Sequence, residues 1–304
     1  MTPTIIPFAE GEARLDWIEL TEALAEGHKL PLSGIGDLVL YRGPDTLLSR
    51  AAIVDGLGAL VKTATVFPGN RARGKPAVNG AVSLFADDTG ELEALIDFHL
   101  VTKWKTAGDS LLAARRLARP DSHLVLIVGA GTVGRSLRAA YGAAFPQARF
   151  AVWNRSPEGA EALAAACPRT EVAPDLEAAV RAADIVTCAT MSTDPLIRGE
   201  WLRPGQHIDL IGAYRPDMRE ADDTALRRAR VFVDARATTI GHIGELMDPI
   251  ARGVISAADV VADFGDLASG AFTRQSDDEI TLFKNGGGAH LDLMTARYIL
   301  SKWR

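Results

Sequence analysis

Cysteine is scarce in this chain: Cys167 and Cys188 are the only two in 304 residues, and they are not in a CxxC arrangement. That excludes a disulfide-stapled scaffold and fits a reducing compartment. No apolar run approaches the roughly 20 residues a membrane-spanning helix needs, so no membrane partner is expected. Excess positive charge is missing too. Lys and Arg total 33 against 39 Asp and Glu, a formal charge of −6, and there is no Lys/Arg tract. Such a chain offers no field for a phosphate backbone, which excludes nucleic acid as an expected partner. The opening Met1-Thr-Pro-Thr-Ile-Ile-Pro-Phe8 lacks a charged segment followed by an apolar core. No secretory leader is expected, and the cytoplasm is the expected location. His28, His99, His123, His207, His242 and His290 are scattered, none at metal-ligand spacing with Cys or carboxylates, so no metal is expected. There is also no GxSxG elbow, activated-cysteine signature, internal repeat or low-complexity segment.

What is present is ordinary for a soluble globular protein, with 47% apolar and 24% charged residues. A chain of 304 residues is long for one core, so two domains are expected. The organising stretch is Leu124-Val-Leu-Ile-Val-Gly129-Ala-Gly131-Thr132-Val133-Gly134-Arg-Ser-Leu137. Five apolar residues read as a buried strand, and three glycines at G-x-G-x-x-G spacing lead into a helical pattern. In such a turn Gly129 takes a bend other residues avoid, Gly131 admits a pyrophosphate against bare backbone, and Gly134 lets helix and strand pack closely. The phosphates then meet the helix N-terminus, where N–H groups and the macrodipole favour negative charge. A second strand, Arg149–Trp153, follows, as a dinucleotide-binding unit requires.

Upstream, 15–25 has helical spacing. Leu38–Tyr41, Gly58–Val66, Val78–Phe85 and Leu92–Asp97 read as strands, the last two joined by a turn at Asp87–Gly90. A helix is predicted over Thr102–Ala118, then a linker at Arg119–Ser122. Beyond it, strands at Thr170–Ala173, Ile185–Ala189, His207–Ile211, Val231–Asp234 and Ile280–Lys284 alternate with helices at Glu158–Ala166, Leu176–Ala183 and Asp222–Arg228. This alternation predicts an α/β fold with a Rossmann-type doubly wound parallel sheet, plus an α+β domain upstream. A final amphipathic helix, Ala289–Trp303, is expected to return to the first domain. The expected domains are 1–119 with 289–304, and 120–288.

At the end of the second strand, where an acid usually holds the ribose of NAD, the chain has Asn154-Arg155-Ser156. All three can donate hydrogen bonds to a 2′-phosphate, Arg155 as a planar fork. NADP(H) is therefore expected over NAD(H), which stays possible. Thr190, in Cys188-Ala-Thr-Met-Ser192, and Gly212, in Gly212-Ala-Tyr-Arg-Pro216, lie at strand ends where a nicotinamide would sit. Two lysines stand out. Lys62 shares a strand face with Leu60, Ala64 and Val66, so it either reaches water at a sheet edge or sits in an anion pocket. Lys105 is read as opening a helix against the dipole, either pairing with Asp109 or forming an anion site with nearby N–H groups.

Taken together, Val61-Lys-Thr-Ala-Thr-Val-Phe-Pro-Gly-Asn70, Leu100-Val-Thr-Lys-Trp-Lys-Thr-Ala107, Val128-Gly-Ala-Gly-Thr-Val-Gly134, Ile211-Gly-Ala-Tyr-Arg-Pro-Asp-Met-Arg-Glu220 and Thr281-Leu-Phe-Lys-Asn-Gly286 make the chain resemble the ornithine cyclodeaminase/mu-crystallin family. The resemblance implies a homodimer formed through the first domain, a Rossmann second domain, and a small substrate held between them. It places Lys62 at the family's substrate-binding lysine. Lys105 stands where most members have Arg, a point charge replacing a bidentate fork. The cyclodeaminases carry an Asp where this chain has Tyr214. A tyrosine hydroxyl ordinarily keeps its proton at neutral pH, which makes it a poor base for an ammonium group. The Arg-Pro-Asp-x-Arg-Glu form looks like the ketimine and pyrroline-carboxylate reductase branch. The family's early substrate arginine is matched to Arg42, with Arg50 second. The implied activity is NAD(P)H-dependent reduction of a carboxylate-bearing cyclic imine, 1-pyrroline-2-carboxylate to L-proline, with the six-membered homologue as a variant. Ornithine cyclodeamination and non-catalytic ligand binding are the alternatives.

Overall fold

The computed structural model describes residues 2–304, apart from the side chain of Arg71. Two compact units make up the chain: Met1–Thr106 with Gly288–Arg304, and Ala107–Gly287.

The first unit begins with β1 (Thr4–Ile6), α1 (Phe8–Glu12) and α2 (Trp17–Gly27), the last capped by Asp16, whose carboxylate accepts from the Ile18 and Glu19 N–H groups. Strands β2 (Leu32–Arg42), β3 (Asp45–Val54), β4 (Gly58–Val66), β5 (Val78–Phe85) and β6 (Leu92–Asp97) follow. They form a sheet in the order β1-β6-β5-β4-β3-β2, antiparallel except for β1 beside β6. The hairpin of β2 and β3 was not expected beyond Leu38–Tyr41. Gly34 and Gly36 interrupt β2, and every residue of that strand is exposed, so the period-two apolar signal is lost.

Helix α3 (Phe98–Leu117) starts at Phe98, not at the predicted Thr102. Asp97 ends β6 and accepts from the His99 and Leu100 N–H groups at 2.8 and 3.0 Å, which caps the helix. Lys105 consequently lies inside the helix, so the expectation that it opens the helix, beside N–H groups free to bind an anion, does not hold. The division between units falls within α3, between Thr106 and Ala107, rather than at the 119–122 linker.

The second unit holds β7 (Leu124–Val128), α4 (Thr132–Ala144), β8 (Arg149–Trp153), α5 (Pro157–Ala166), β9 (Thr170–Val172), α6 (Leu176–Ala182), β10 (Ile185–Cys188), β11 (His207–Leu210), α7 (Asp223–Arg228), β12 (Arg230–Val233), α8 (Arg236–Thr239), α9 (Gly244–Ala251), β13 (Val260–Ala262) and β14 (Thr281–Lys284). All eight strands are parallel, in the order β13-β12-β14-β11-β10-β7-β8-β9. This is the doubly wound sheet expected from the alternation, and the order reverses between β7 and β10. Strands covered on both faces are largely apolar, as Val125–Val128 and, apart from Thr187, Ile185–Cys188 are. The expectation missed β13, α8 and α9, which are short and carry no clear period.

Helix α10 (Ala289–Trp303) belongs to the first unit. Its first eight residues, Ala289–Ala296, include no exposed position, so it is a core helix there rather than the amphipathic one predicted. Arg297 fastens it, donating to the Leu57 and Phe85 carbonyls and pairing with Glu93.

Candidate active site

In doubly wound sheets ligands settle outside the carboxyl ends of the strands where the order reverses. Here that crevice lies at the ends of β7 and β10. It is a cleft of about 320 Å³ lined by Gly129, Gly131, Trp153, Asn154, Arg155, Ser156 and the segment Ala189–Ser192. Gly129 has φ 104°, and a Cβ there would also stand 2.7 Å from the Ala189 carbonyl oxygen. A Cβ on Gly134 would lie 1.9 Å from the Gly129 oxygen, whereas one on Gly131 would meet nothing within 4 Å. The three glycines thus divide into a bend, an open approach and a close packing contact, which fits a pyrophosphate laid on Gly131. Thr132 and Val133 open α4, where the first N–H groups lack intrahelical acceptors.

Asn154 ties the glycine loop down. Its Oδ1 accepts from the Ala130 N–H at 3.0 Å and its Nδ2 donates to the Ser156 carbonyl at 2.8 Å. Both ends of its amide are therefore engaged, so it supports the loop more than it offers donors to a ligand. Arg155 and Ser156 are exposed, and Arg155 makes no hydrogen bond or ion pair among the described residues.

Behind this cleft lies a buried polar network that the sequence reading did not single out. Glu220 accepts from the Thr190 N–H and hydroxyl through Oε1, at 2.7 and 2.9 Å. Its Oε2 accepts from the Gly212 N–H at 2.6 Å and the Ala213 N–H at 3.4 Å. Glu245 accepts from the backbone N–H groups of Glu220 and Ala221, at 2.7 and 3.0 Å. Lys284 Nζ donates to the Leu210 and Asn285 carbonyls. Burial pushes the Glu220 carboxyl up, against the pull of Lys284 and of its donors. Burial and the Glu220 charge push Glu245 up to about 7. Asp209, which accepts from Ser110, Tyr141 and Thr187, is pushed by burial to about 6.

The first unit carries a cluster of cations. β4 is an inner strand, so Lys62 is not at a sheet edge; it is 8% exposed, on the buried face with Leu60 and Ala64. Its Nζ donates to Asp292 Oδ1 on α10 at 2.8 Å and lies 5.0 Å from the centre of the Phe98 ring. Burial pushes the Lys62 pKa down; Asp292 opposes this, while Lys105 and Arg50 add to it. Burial would raise Asp292, but Lys62, Lys105 and Arg50 together hold it below the usual carboxylate range. Lys105 is itself only 6% exposed. Arg50 stands directly opposite Lys62 in the β3–β4 register and also pairs with Asp37 at 2.6 Å.

The structure therefore brings Lys62, Lys105 and Arg50 around one carboxylate, Asp292. Arg42 is not among them: its side chain is 78% exposed, ends β2 and pairs with Asp45. Tyr214 is 57% exposed in the loop after β11, where the Arg215 guanidinium lies over its ring. Thr190 lines the cleft and Gly212 lies against it, a Cβ on Gly212 falling 1.9 Å from the Thr190 carbonyl oxygen. The Thr190 hydroxyl already donates to Glu220, which leaves it only acceptor capacity toward a ligand. Of the residues missed, Glu220 and Lys284 lay inside the quoted motifs, and Asp292 was legible as a carboxylate in the apolar run Leu291-Asp-Leu-Met294. Glu245 had no such signal. Among the described residues no group of three or more His, Cys, Asp or Glu is placed to hold a metal ion, and no helix is long and apolar enough to cross a membrane.

The model of the ornithine cyclodeaminase/mu-crystallin family matches residues 53–304. A Delta(1)-pyrroline-2-carboxylate reductase of Paracoccus denitrificans is 53% identical, over 98% of this chain and 96% of its own. Among solved structures, the Thermococcus litoralis Delta(1)-pyrroline-2-carboxylate reductase in complex with NADH and L-proline shares the fold, with a TM-score of 0.90 at 24% identity over 98% of this chain and 97% of that one. An archaeal alanine dehydrogenase dimer with bound NAD gives 0.90 at 27% identity, covering 99% and 96%. With its glycine loop, its buried lysine and these matches, the chain belongs to the ornithine cyclodeaminase/mu-crystallin family.

Proposed function

We propose that this chain is an NAD(P)H-dependent oxidoreductase that reduces the C=N bond of a cyclic imino acid, with 1-pyrroline-2-carboxylate to L-proline as its reaction and the six-membered homologue as a variant. The observation that carries this reading is the 53% identity to the Paracoccus denitrificans reductase over 98% of the chain. Both halves of the required chemistry support it. The second unit has a cleft suited to a dinucleotide, and the first has three cations grouped around a single carboxylate.

A bound nicotinamide supplies the hydride. The chain's own residues hold and orient. We assign the substrate carboxylate to Lys62, Lys105 and Arg50, the cations that act together on Asp292. We assign Arg42 no contact with substrate, because its side chain is exposed at the end of β2 and is not among the cations that act on Asp292. An iminium is more electrophilic at C2 than the neutral imine, so it is the form that takes the hydride. Tyr214, where cyclodeaminases carry an acid, makes release of ammonia from ornithine the weaker reading.

Two finer assignments belong to the same proposal. NADP(H) is preferred over NAD(H), because the exposed and unpartnered Arg155, with Ser156, stands where an acid would hold a ribose. The chain works as a homodimer in the cytoplasm: β2 is an outer strand that exposes Leu38 and Leu40, each 54% accessible, and such an edge invites pairing with a second copy. The test is oxidation of NADPH and NADH, followed at 340 nm, with both cyclic imino acids. Steady oxidation with a proline or pipecolate product is expected; no oxidation with either ring would overturn the reading.

A further inference from the structure

The loops after β10 and β11 lie against each other at the cofactor cleft, and one buried side chain holds both. Glu220 is 0% exposed, and each of its two oxygens is committed to a different loop. Oε1 takes the N–H and hydroxyl of Thr190, which lines the cleft, while Oε2 takes the N–H groups of Gly212 and Ala213, just before Tyr214. Each oxygen accepts from a backbone N–H of a different loop, Thr190 on one side and Gly212 on the other, which is the acceptor role of a carboxylate. Glu245 fixes the Glu220 backbone from the opposite side, and Lys284 supplies the compensating charge. Gly212 is needed for this closeness, since any side chain there would collide with the Thr190 backbone.

We propose that Glu220 is a positioning residue for the reaction: a clasp that sets the Thr190 loop against the Gly212–Tyr214 loop and thereby shapes the nicotinamide end of the cleft. It touches neither cofactor nor substrate. The inference rests on the reductase reading only for its catalytic consequence; the effect on dinucleotide binding follows from the clasp alone.

The clasp requires acceptors on both oxygens. Glu220→Gln keeps size and shape but turns one oxygen into a donor, so a backbone N–H in one loop faces an N–H. The probe is NADH, titrated by quenching of tryptophan fluorescence, to which Trp153 at the cleft contributes. Glu220→Gln is expected to weaken NADH about ten-fold, the scale of one buried donor left without an acceptor. The KM for NADH should rise by a similar factor, with that for the imino acid near wild type. Thr190→Val provides a second variant, which removes the hydroxyl donor to Glu220 and leaves the carboxylate and the backbone N–H donors in place. In the wild-type background it should weaken NADH several-fold, and in the Glu220→Gln background it should add little, because the two act through one contact. Fully multiplicative effects, or a folded Glu220→Gln protein with unchanged NADH binding, would overturn the clasp. Wild-type protein that binds NADH yet reduces no imine would overturn the reductase reading and leave the clasp standing.

Discussion

Asp292→Asn should separate stability from catalysis at the Lys62 cluster. Asp292 is fully buried, and its carboxylate is the partner of Lys62 at 2.8 Å. An asparagine fills the same space but leaves Lys62, Lys105 and Arg50 facing one another without the carboxylate. Removing one member of a buried ion pair costs about 3–5 kcal/mol, because the remaining charge is stranded. Urea unfolding of Asp292→Asn should fall within that range of loss. Lys62→Met should cost less, since Asp292 keeps the attraction of Lys105 and Arg50. The catalytic order should be the reverse: Lys62→Met should lose more of kcat/KM for the imino acid than any other single change in the cluster. The pH profile is the sharper readout. Burial already holds the Lys62 pKa below its ordinary value, and Asp292 is the group resisting that fall. Without it the lysine sheds its proton at lower pH, so the alkaline limb of kcat/KM should move toward neutrality. An unshifted alkaline limb together with wild-type stability would refute the pairing of these two residues as an energetic unit.

Arg50→Ala should raise KM for the imino acid about ten-fold, on the scale of one charged hydrogen bond, whereas Arg42→Ala, at an exposed pair, should change it by no more than about two-fold; steady-state kinetics at saturating cofactor distinguish them. Arg155→Ala should lower kcat/KM for NADPH about ten-fold or more while leaving that for NADH nearly unchanged, and equal losses with both cofactors would remove Arg155 from the 2′-phosphate site. Glu245 is raised from 4.5 to about 7, so the folded state binds its proton more tightly than the unfolded chain does. Its ionisation therefore costs nothing below pH 4.5 and progressively more up to pH 7, about 3 kcal/mol in all, and stability should fall as pH rises through that window. Glu245→Gln should flatten this fall in urea unfolding at pH 5 and 8; an undiminished slope would place the titration elsewhere.

What the sequence makes legible depends on whether a residue's purpose is carried by its neighbours in the chain. The glycine loop is local: Gly129, Gly131 and Gly134 act within six residues of one another, and bend, approach and packing all follow from their spacing. The doubly wound sheet was legible for a similar reason, because its strands are short, largely apolar runs that alternate with helices. Strand β2 was mostly missed because its apolar residues face outward and two glycines break its rhythm, so there was no inward face for a pattern to mark. Lys105 was misplaced by a cap, since Asp97 reads as the end of a strand and only the folded chain shows its carboxylate on the next helix. The charge clusters are the least legible part. Lys62 meets Asp292 across 230 positions and Glu220 meets Thr190 across 30, and a buried charge announces itself in sequence only as an anomaly in an apolar run. Such an anomaly cannot name its partner. It can say that one must exist, since a lone buried charge costs too much to persist. Lys62 on the apolar face of β4 and Asp292 in the apolar start of α10 are two such anomalies of opposite sign, and each is the partner the other requires.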